Sequence, residues 1–193
     1  MGIENRLYEA KDLLRFLQLK PEKIYLWLRT YRIFEPAERP HGVRGKNKYS
    51  LLDLVKLALI DNLQNLGMPL EYIRQVFSKM DEAGEWKRLV NERDRFNADG
   101  AILLIVRETG VDWYRLEGGV GPARPQPAPH FRVLLLSNAE AIRQFQECVK
   151  APWSTLAINM KFILGIVEDT TGERLGQGDD RTTGSNKEKM TTL

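Results

Sequence analysis

One cysteine, Cys148, and two histidines, His41 and His130, are all that the 193 residues hold of those two types. A single thiol excludes an intrachain disulfide framework and any cluster of thiolate metal ligands within one chain. Cys148, beside Ile142, Phe145 and Val149, reads as a small buried hydrophobe. The two histidines lie in separate loops containing Pro or Gly, without a carboxylate or cysteine constellation, so neither a metal nor another cofactor is expected. No apolar run approaches the roughly 18 residues that a membrane helix needs, and no apolar core follows basic residues at the N-terminus. A cytoplasmic protein without a membrane partner is expected. Carboxylates such as Glu108, Glu117 and Glu140 are scattered, and no nucleophile, base and orienting acid come together, which argues against an enzyme.

What the chain does have is an uneven distribution of charge. The net charge of +3 is modest, but between residues 20 and 50 the bases Lys20, Lys23, Arg29, Arg32, Arg39, Arg44, Lys46 and Lys48 face only Glu22, Glu35 and Glu38. A local basic excess of this kind is suited to phosphates rather than to diffuse polycation binding. The same stretch has a definite local pattern. Pro21 suits a first helical position, because its φ is preset and its missing N–H would have had no partner there. Ile24, Trp27, Leu28 and Tyr31 then recur at i, i+3, i+4 and i+7, forming an inward stripe that makes Trp27 a core residue and turns Lys23, Leu26, Arg29 and Thr30 outward. A preceding amphipathic segment, 8–17, with Leu13, Leu14, Phe16 and Leu17, can pack on that stripe after a tight turn at 18–20. The spacing predicts a helix-turn-helix.

Residues 35–42 contain two prolines and a glycine, and cannot continue a helix. Residues 43–49 follow with Arg44, Lys46 and Lys48 near glycines, as expected of a two-stranded basic wing. Ser50, with Asp53 three residues on, should cap the next helix by a reciprocal capping box. That helix is expected over 51–65 with Leu51, Leu54, Val55, Ala58, Leu59 and Leu63 on one side, capped by Gly67. Another is expected over 69–80, with Leu70, Ile73, Val76 and Phe77 inward.

The ordered set Pro21, Ile24, Trp27, Arg29, Tyr31, Ile33, Phe34, Pro36, Gly45, Tyr49, Ser50 and Asp53 resembles the MerR family of winged-helix DNA-binding regulators. The resemblance runs on through Leu57, Ile60, Leu63, Leu66, Gly67, Met68, Pro69, Leu70 and Ile73, and so covers about residues 7–80. It departs from the family at four positions. Tyr25 stands where a phosphate-contacting Arg is usual, Leu28 where Glu is, Arg32 where Gly is, and Asn47 where the wing has Arg. These changes leave the fold and bear on individual DNA contacts. The resemblance implies promoter binding as a homodimer on double-stranded DNA, with RNA polymerase or a small-molecule effector as further partners and a location at the nucleoid. The residues expected at DNA are Lys20, Lys23, Tyr25, Leu26, Arg29, Arg44, Lys46, Lys48 and Tyr49. Of these, Tyr49 is read first as packing the wing on the core.

Beyond a linker at 81–84, residues 85–97 give a short amphipathic helix through Trp86, Leu89, Val90 and Phe96. The sustained heptads of the family's dimerising coiled coil are absent. Residues 101–107 form a β-branched apolar run of strand length, with a hairpin turn at 108–110 and a partner strand over 111–117. Residues 118–130 are a Gly- and Pro-rich loop, 131–136 another strand, and a helix starts at Ser137 and Asn138. From Pro152 to Glu168, Trp153, Leu156, Met160, Ile163, Leu164 and Val167 fit helical spacing. Residues 156–164 also alternate, but the length of the stretch favours helix. The expected architecture is a mainly α winged helix-turn-helix domain (1–80), a small α+β module for dimerisation or sensing (85–169), where Trp113, Tyr114 and Trp153 are available aromatics, and a disordered tail (170–193). The resulting reading is a sequence-specific transcriptional regulator. Its alternatives are an excisionase-like or partition-type architectural DNA-binding protein, and an adaptor whose winged helix no longer binds DNA.

Overall fold

The computed structural model describes residues 6–38, 46–109, 130–149 and 155–173. Arg39, Arg44, His41, the segment 111–117 with Trp113 and Tyr114, most of the loop expected over 118–130, and Trp153 lie outside the described residues, as does the side chain of Cys148. Helix α1 spans Ala10–Leu17, and its last residue passes into Gln18 at φ 52 to make the tight turn. Helix α2, Pro21–Tyr25, opens on proline and continues as a single π-helical stretch, Leu26–Thr30. Helix α3 covers Leu51–Asn65 and α4 covers Leu70–Glu82.

Gly67 ends α3 as the sequence suggests. It sits at φ 85, its N–H donates to the Gln64 carbonyl (2.8 Å), and the Met68 N–H reaches back to Leu63 (3.0 Å). This paired arrangement satisfies the last carbonyls of the helix and needs a left-handed residue at that point. The chain then re-enters helix almost at once, packing α4 on α3.

Helix α3 is enclosed on more sides than a one-faced stripe allows. Leu57 and Ile60 are buried along with Leu54, Val55, Leu59 and Leu63, because α1, α4 and the last helix all pack on it. That last helix, α8, spans Met160–Thr171. Between α4 and α8 lie α5 (Glu85–Asn91), α6 (Arg93–Asp99), β1 (Ala101–Thr109), β2 (His130–Ser137), α7 (Asn138–Val149) and β3 (Thr155–Asn159).

The sheet order is β2-β1-β3, antiparallel throughout, with Leu103 opposite Leu135 on one side and Ile158 on the other. The central place of β1 explains why it reads as an unbroken apolar run: both of its faces are covered. Ala101, Leu103 and Ile105 join the main core, while Leu104 and Val106 form a smaller cluster with Leu134 and Leu136. Helix α7 packs on β1 and β2. It starts on a capping box, with Glu140 accepting from the Ser137 N–H and hydroxyl, each at 2.9 Å.

Four expectations need correction. Thr155–Asn159 is strand, not helix, because Leu156 and Ile158 pair in register with Ile105 and Leu103 before the chain turns into α8. The helix expected over 85–97 is two helices, broken at Glu92. Glu108 and Thr109 continue β1 instead of opening a turn, with a register shift where Thr109 meets His130. Helix α8 also runs two residues past Asp169. Thr170 and Thr171 hydroxyls donate to the Val167 carbonyl (3.2 and 2.8 Å), and Gly172, at φ 70, ends the helix.

One hydrophobic core extends from Tyr8 to Val167. Phe77 meets the Trp86 ring (5.2 Å between centroids) and Tyr72 meets Phe131 (5.5 Å), across the turn at Ala83 and Gly84 that joins α4 to α5. Polar links follow the same route. Arg88 donates to the Leu135 carbonyl (2.8 Å), Arg95 pairs with Glu140 (2.9 Å), and the buried Arg93 pairs with Glu168 of α8.

Candidate nucleic-acid interface

The helix that starts at Pro21 is seated on α3 by Trp27, which is fully buried and donates its indole N–H to Gln64 (3.1 Å). Ile24 is buried beside it, and Leu28 and Tyr31 are half-buried, so the inward stripe is as the spacing predicts. The opposite face is exposed at Tyr25, Leu26, Arg29 and Thr30, with Tyr25 63% open. Lys20, exposed, stands at the start of the helix, where its carbonyl accepts from the Lys23 N–H (3.0 Å). The π-helical widening at Leu26–Thr30 carries the Tyr31 N–H back to Leu26 (3.0 Å) and falls where the exposed face is presented, a placement common at functional sites.

Lys23 is differently engaged. Its ammonium lies 2.8 Å from Asp61 of α3, which also accepts from the Asn65 amide (3.1 Å), and 5.9 Å from the Trp27 ring. It latches the exposed helix to α3, and contacting DNA would require it to leave Asp61. Arg29 has no hydrogen bond or ion pair among the described residues, and its charge acts on the Tyr49 phenol to lower its pKa.

The base of the wing is formed by the backbone pair Glu38 and Lys48, bonded in both directions at 3.1 and 3.0 Å. Tyr49 pairs in the same way with Tyr8 (2.8 and 2.9 Å). Lys48 is 3.1 Å from Glu38, and Lys46 is 3.6 Å from Glu9, both in exposed positions where such pairs are weak. Tyr49 itself is 2% exposed, so it supports the wing from below. Burial raises its phenol pKa, against the hydrogen bond from Asn47 and the charge of Arg29.

Asp53 ties these parts together. One carboxylate oxygen accepts from the Ser50 N–H and from the Ala37 N–H, each at 2.9 Å, while the Ser50 hydroxyl accepts from the Asp53 N–H (3.1 Å). The capping box read from sequence therefore also fixes the chain that enters the wing. Replacing Asp53 by Ala would leave two N–H groups without their acceptor and should cost roughly 2 kcal/mol or more. Burial raises the Asp53 pKa, against the Ser50 and Ala37 hydrogen bonds. The folded state therefore binds this proton more tightly than the unfolded chain. The group's contribution to stability falls as pH rises from below the ordinary value of 3.8 through the raised one. Denaturant unfolding across that range should lose this component in Asp53→Asn, and an unchanged slope would remove Asp53 as its source.

Among the described residues no group of three or more His, Cys, Asp or Glu side chains could hold a metal ion. Nor is any described helix long and apolar enough to cross a membrane. Arg44 lies outside the described residues, so the structure brings together Lys20, Tyr25, Leu26 and Arg29 on one helix, with Lys46 and Lys48 at the wing base. Arg32, just beyond the helix, was not among the contacts read from sequence.

Residues 8–80 match the family described as MerR HTH family regulatory protein. A comparison with curated proteins gives no match. The N-terminal segment is thus a MerR-family helix-turn-helix module, and the rest of the chain lies outside the match. Such a module supports a DNA-binding transcription regulator, in a family that is typically non-enzymatic.

Proposed function

We propose that the chain regulates transcription by binding specific promoter DNA as a homodimer at the nucleoid. The observation that carries this reading is the exposed face of the Pro21 helix, where Tyr25, Leu26 and Arg29, which has no ion pair among the described residues, accompany the basic residues Lys46 and Lys48. A helix with such a face fits the major groove, where an Arg can meet guanine bidentately and an apolar side chain can meet a thymine methyl. Lys20, Lys46 and Lys48, and Arg44 as read from the sequence, serve phosphates and set position rather than sequence. The division of labour is residues 1–80 for DNA and 85–169 for dimerisation or effector sensing. Exposed Ile142 on α7 and Phe162 on α8 are apolar surface available to a second copy. RNA polymerase is a partner expected at promoters.

The test is binding to a duplex selected from a random pool and to its scrambled version, over a series of salt concentrations. Lys46→Ala should weaken both alike and lower the salt slope by about one unit. Arg29→Ala should relax discrimination at one base position, at a cost of roughly 1–3 kcal/mol. Equal weakening of both duplexes by Arg29→Ala, with altered preference in Lys46→Ala, would reverse the two roles. The carboxylates on Lys23, Lys46 and Lys48 favour the adaptor as a second reading. Absence of salt-dependent DNA binding by the unsubstituted chain would select it.

A further inference from the structure

The end of the exposed helix forces a left-handed residue. The Tyr31 N–H closes the π turn on Leu26, and the Ile33 N–H then reaches back to the Trp27 carbonyl at 3.0 Å. This reversal brings Ile33 and Phe34, 4% and 6% exposed, into the core. The residue that makes it possible is Arg32, at φ 49. An L side chain with a Cβ is disfavoured there, and glycine is the residue without that penalty. The only other described non-glycine at positive φ is Gln18, which ends α1.

Arg32 is exposed and has no hydrogen bond or ion pair among the described residues. In that it resembles Arg29 and differs from Lys23, Lys46 and Lys48, each of which lies near a carboxylate. Its side chain therefore contributes nothing visible to the fold, while its backbone conformation costs stability. A strained position that persists without a compensating contact points to a role outside the fold. We infer that Arg32 is a phosphate-binding residue of the DNA interface, a freely extended cation at the exit of the reading helix. The inference rests on the DNA-binding reading above and adds to it a contact that the sequence reading did not assign.

The experiment uses the full chain with Arg32→Gly, Arg32→Lys and Gln18→Gly, against the selected and scrambled duplexes over a salt series, with thermal unfolding alongside. Arg32→Gly relieves the backbone and should raise the unfolding midpoint by about 2–4 °C, if about 1 kcal/mol of strain is released. It should at the same time lower the salt slope by about one unit on both duplexes. Arg32→Lys keeps the charge and should keep the slope. Gln18→Gly should raise the midpoint similarly and leave the slope alone. A slope unchanged in Arg32→Gly, with binding otherwise intact, overturns the role of Arg32 alone. No salt-dependent binding by the unsubstituted chain overturns this inference together with the reading beneath it.

Discussion

A chain ended at Gly84 is expected to lose its cooperative unfolding transition, although it retains the whole segment that matches the helix-turn-helix family. The truncation removes α8 from α1 and α3, the Trp86 ring from Phe77, and Phe131 from Tyr72. It also uncovers residues of α3 and α4 that are fully buried in the complete chain. Burying one Leu, Ile, Val or Phe side chain is worth roughly 1.5–3 kcal/mol. Uncovering a handful of them therefore matches the roughly 5–15 kcal/mol that holds a domain together. The proposed division at 80–85 is then one of role, with DNA contacts on one side and dimerisation or sensing on the other, over a core both sides share. Circular dichroism against temperature checks this. A truncated chain that melts cooperatively within a few degrees of the full one would show that the first segment carries its own core.

The sequence made the local features of this arrangement readable, since each is set by residues a few positions apart. Pro21, the Ser50 and Asp53 capping box, and the Gly67 reversal act on backbone within a few residues of themselves, so their chemistry suffices to place them. The apolar run of β1 was equally plain. The same logic failed where two periods overlapped. In 156–164 the alternation belongs to the end of β3 and the helical spacing to α8, which begins at the next residue with no loop between them to mark the change. Length, used to choose between them, favoured the wrong element for the first part.

Long-range partners left no local trace. Lys23 looks on a helical wheel like an outward cation, and only the fold brings Asp61, 38 residues on, to 2.8 Å from it. Arg88 and Arg95 are likewise surface charges by pattern, yet both are tied to the β2 and α7 region. Enclosure of α3 was not readable either, because α8, which supplies its last covering face, comes five helices and three strands later in the chain. The Arg32 conformation lay between these cases. Its place in the sequence hinted at it, through a glycine expected there, but the φ of 49 is what turns that departure into a cost.

The largest single-residue loss should follow Trp27→Ala, at roughly 3–5 kcal/mol, the usual cost of removing a buried aromatic side chain when the surroundings relax only in part. Trp27 is fully buried beneath the exposed helix, and its indole N–H donates to Gln64 of α3. Its loss removes the packing that holds the π-helical stretch, so DNA binding should fall even where the chain remains folded. Trp27→Phe separates the two contributions. It keeps most of the ring volume and gives up the N–H donated to Gln64, and should cost about 1 kcal/mol for the hydrogen bond in addition to a small packing term. Urea unfolding gives both values, and binding measured below the unfolding transition gives the effect on the interface. A loss under about 1 kcal/mol for Trp27→Ala, against the range expected for such a truncation, would mean that Lys23 and Asp61 hold the helix without it. In that event Asp61→Ala should release the helix, and the combined variant should lose far more than the two single ones added together.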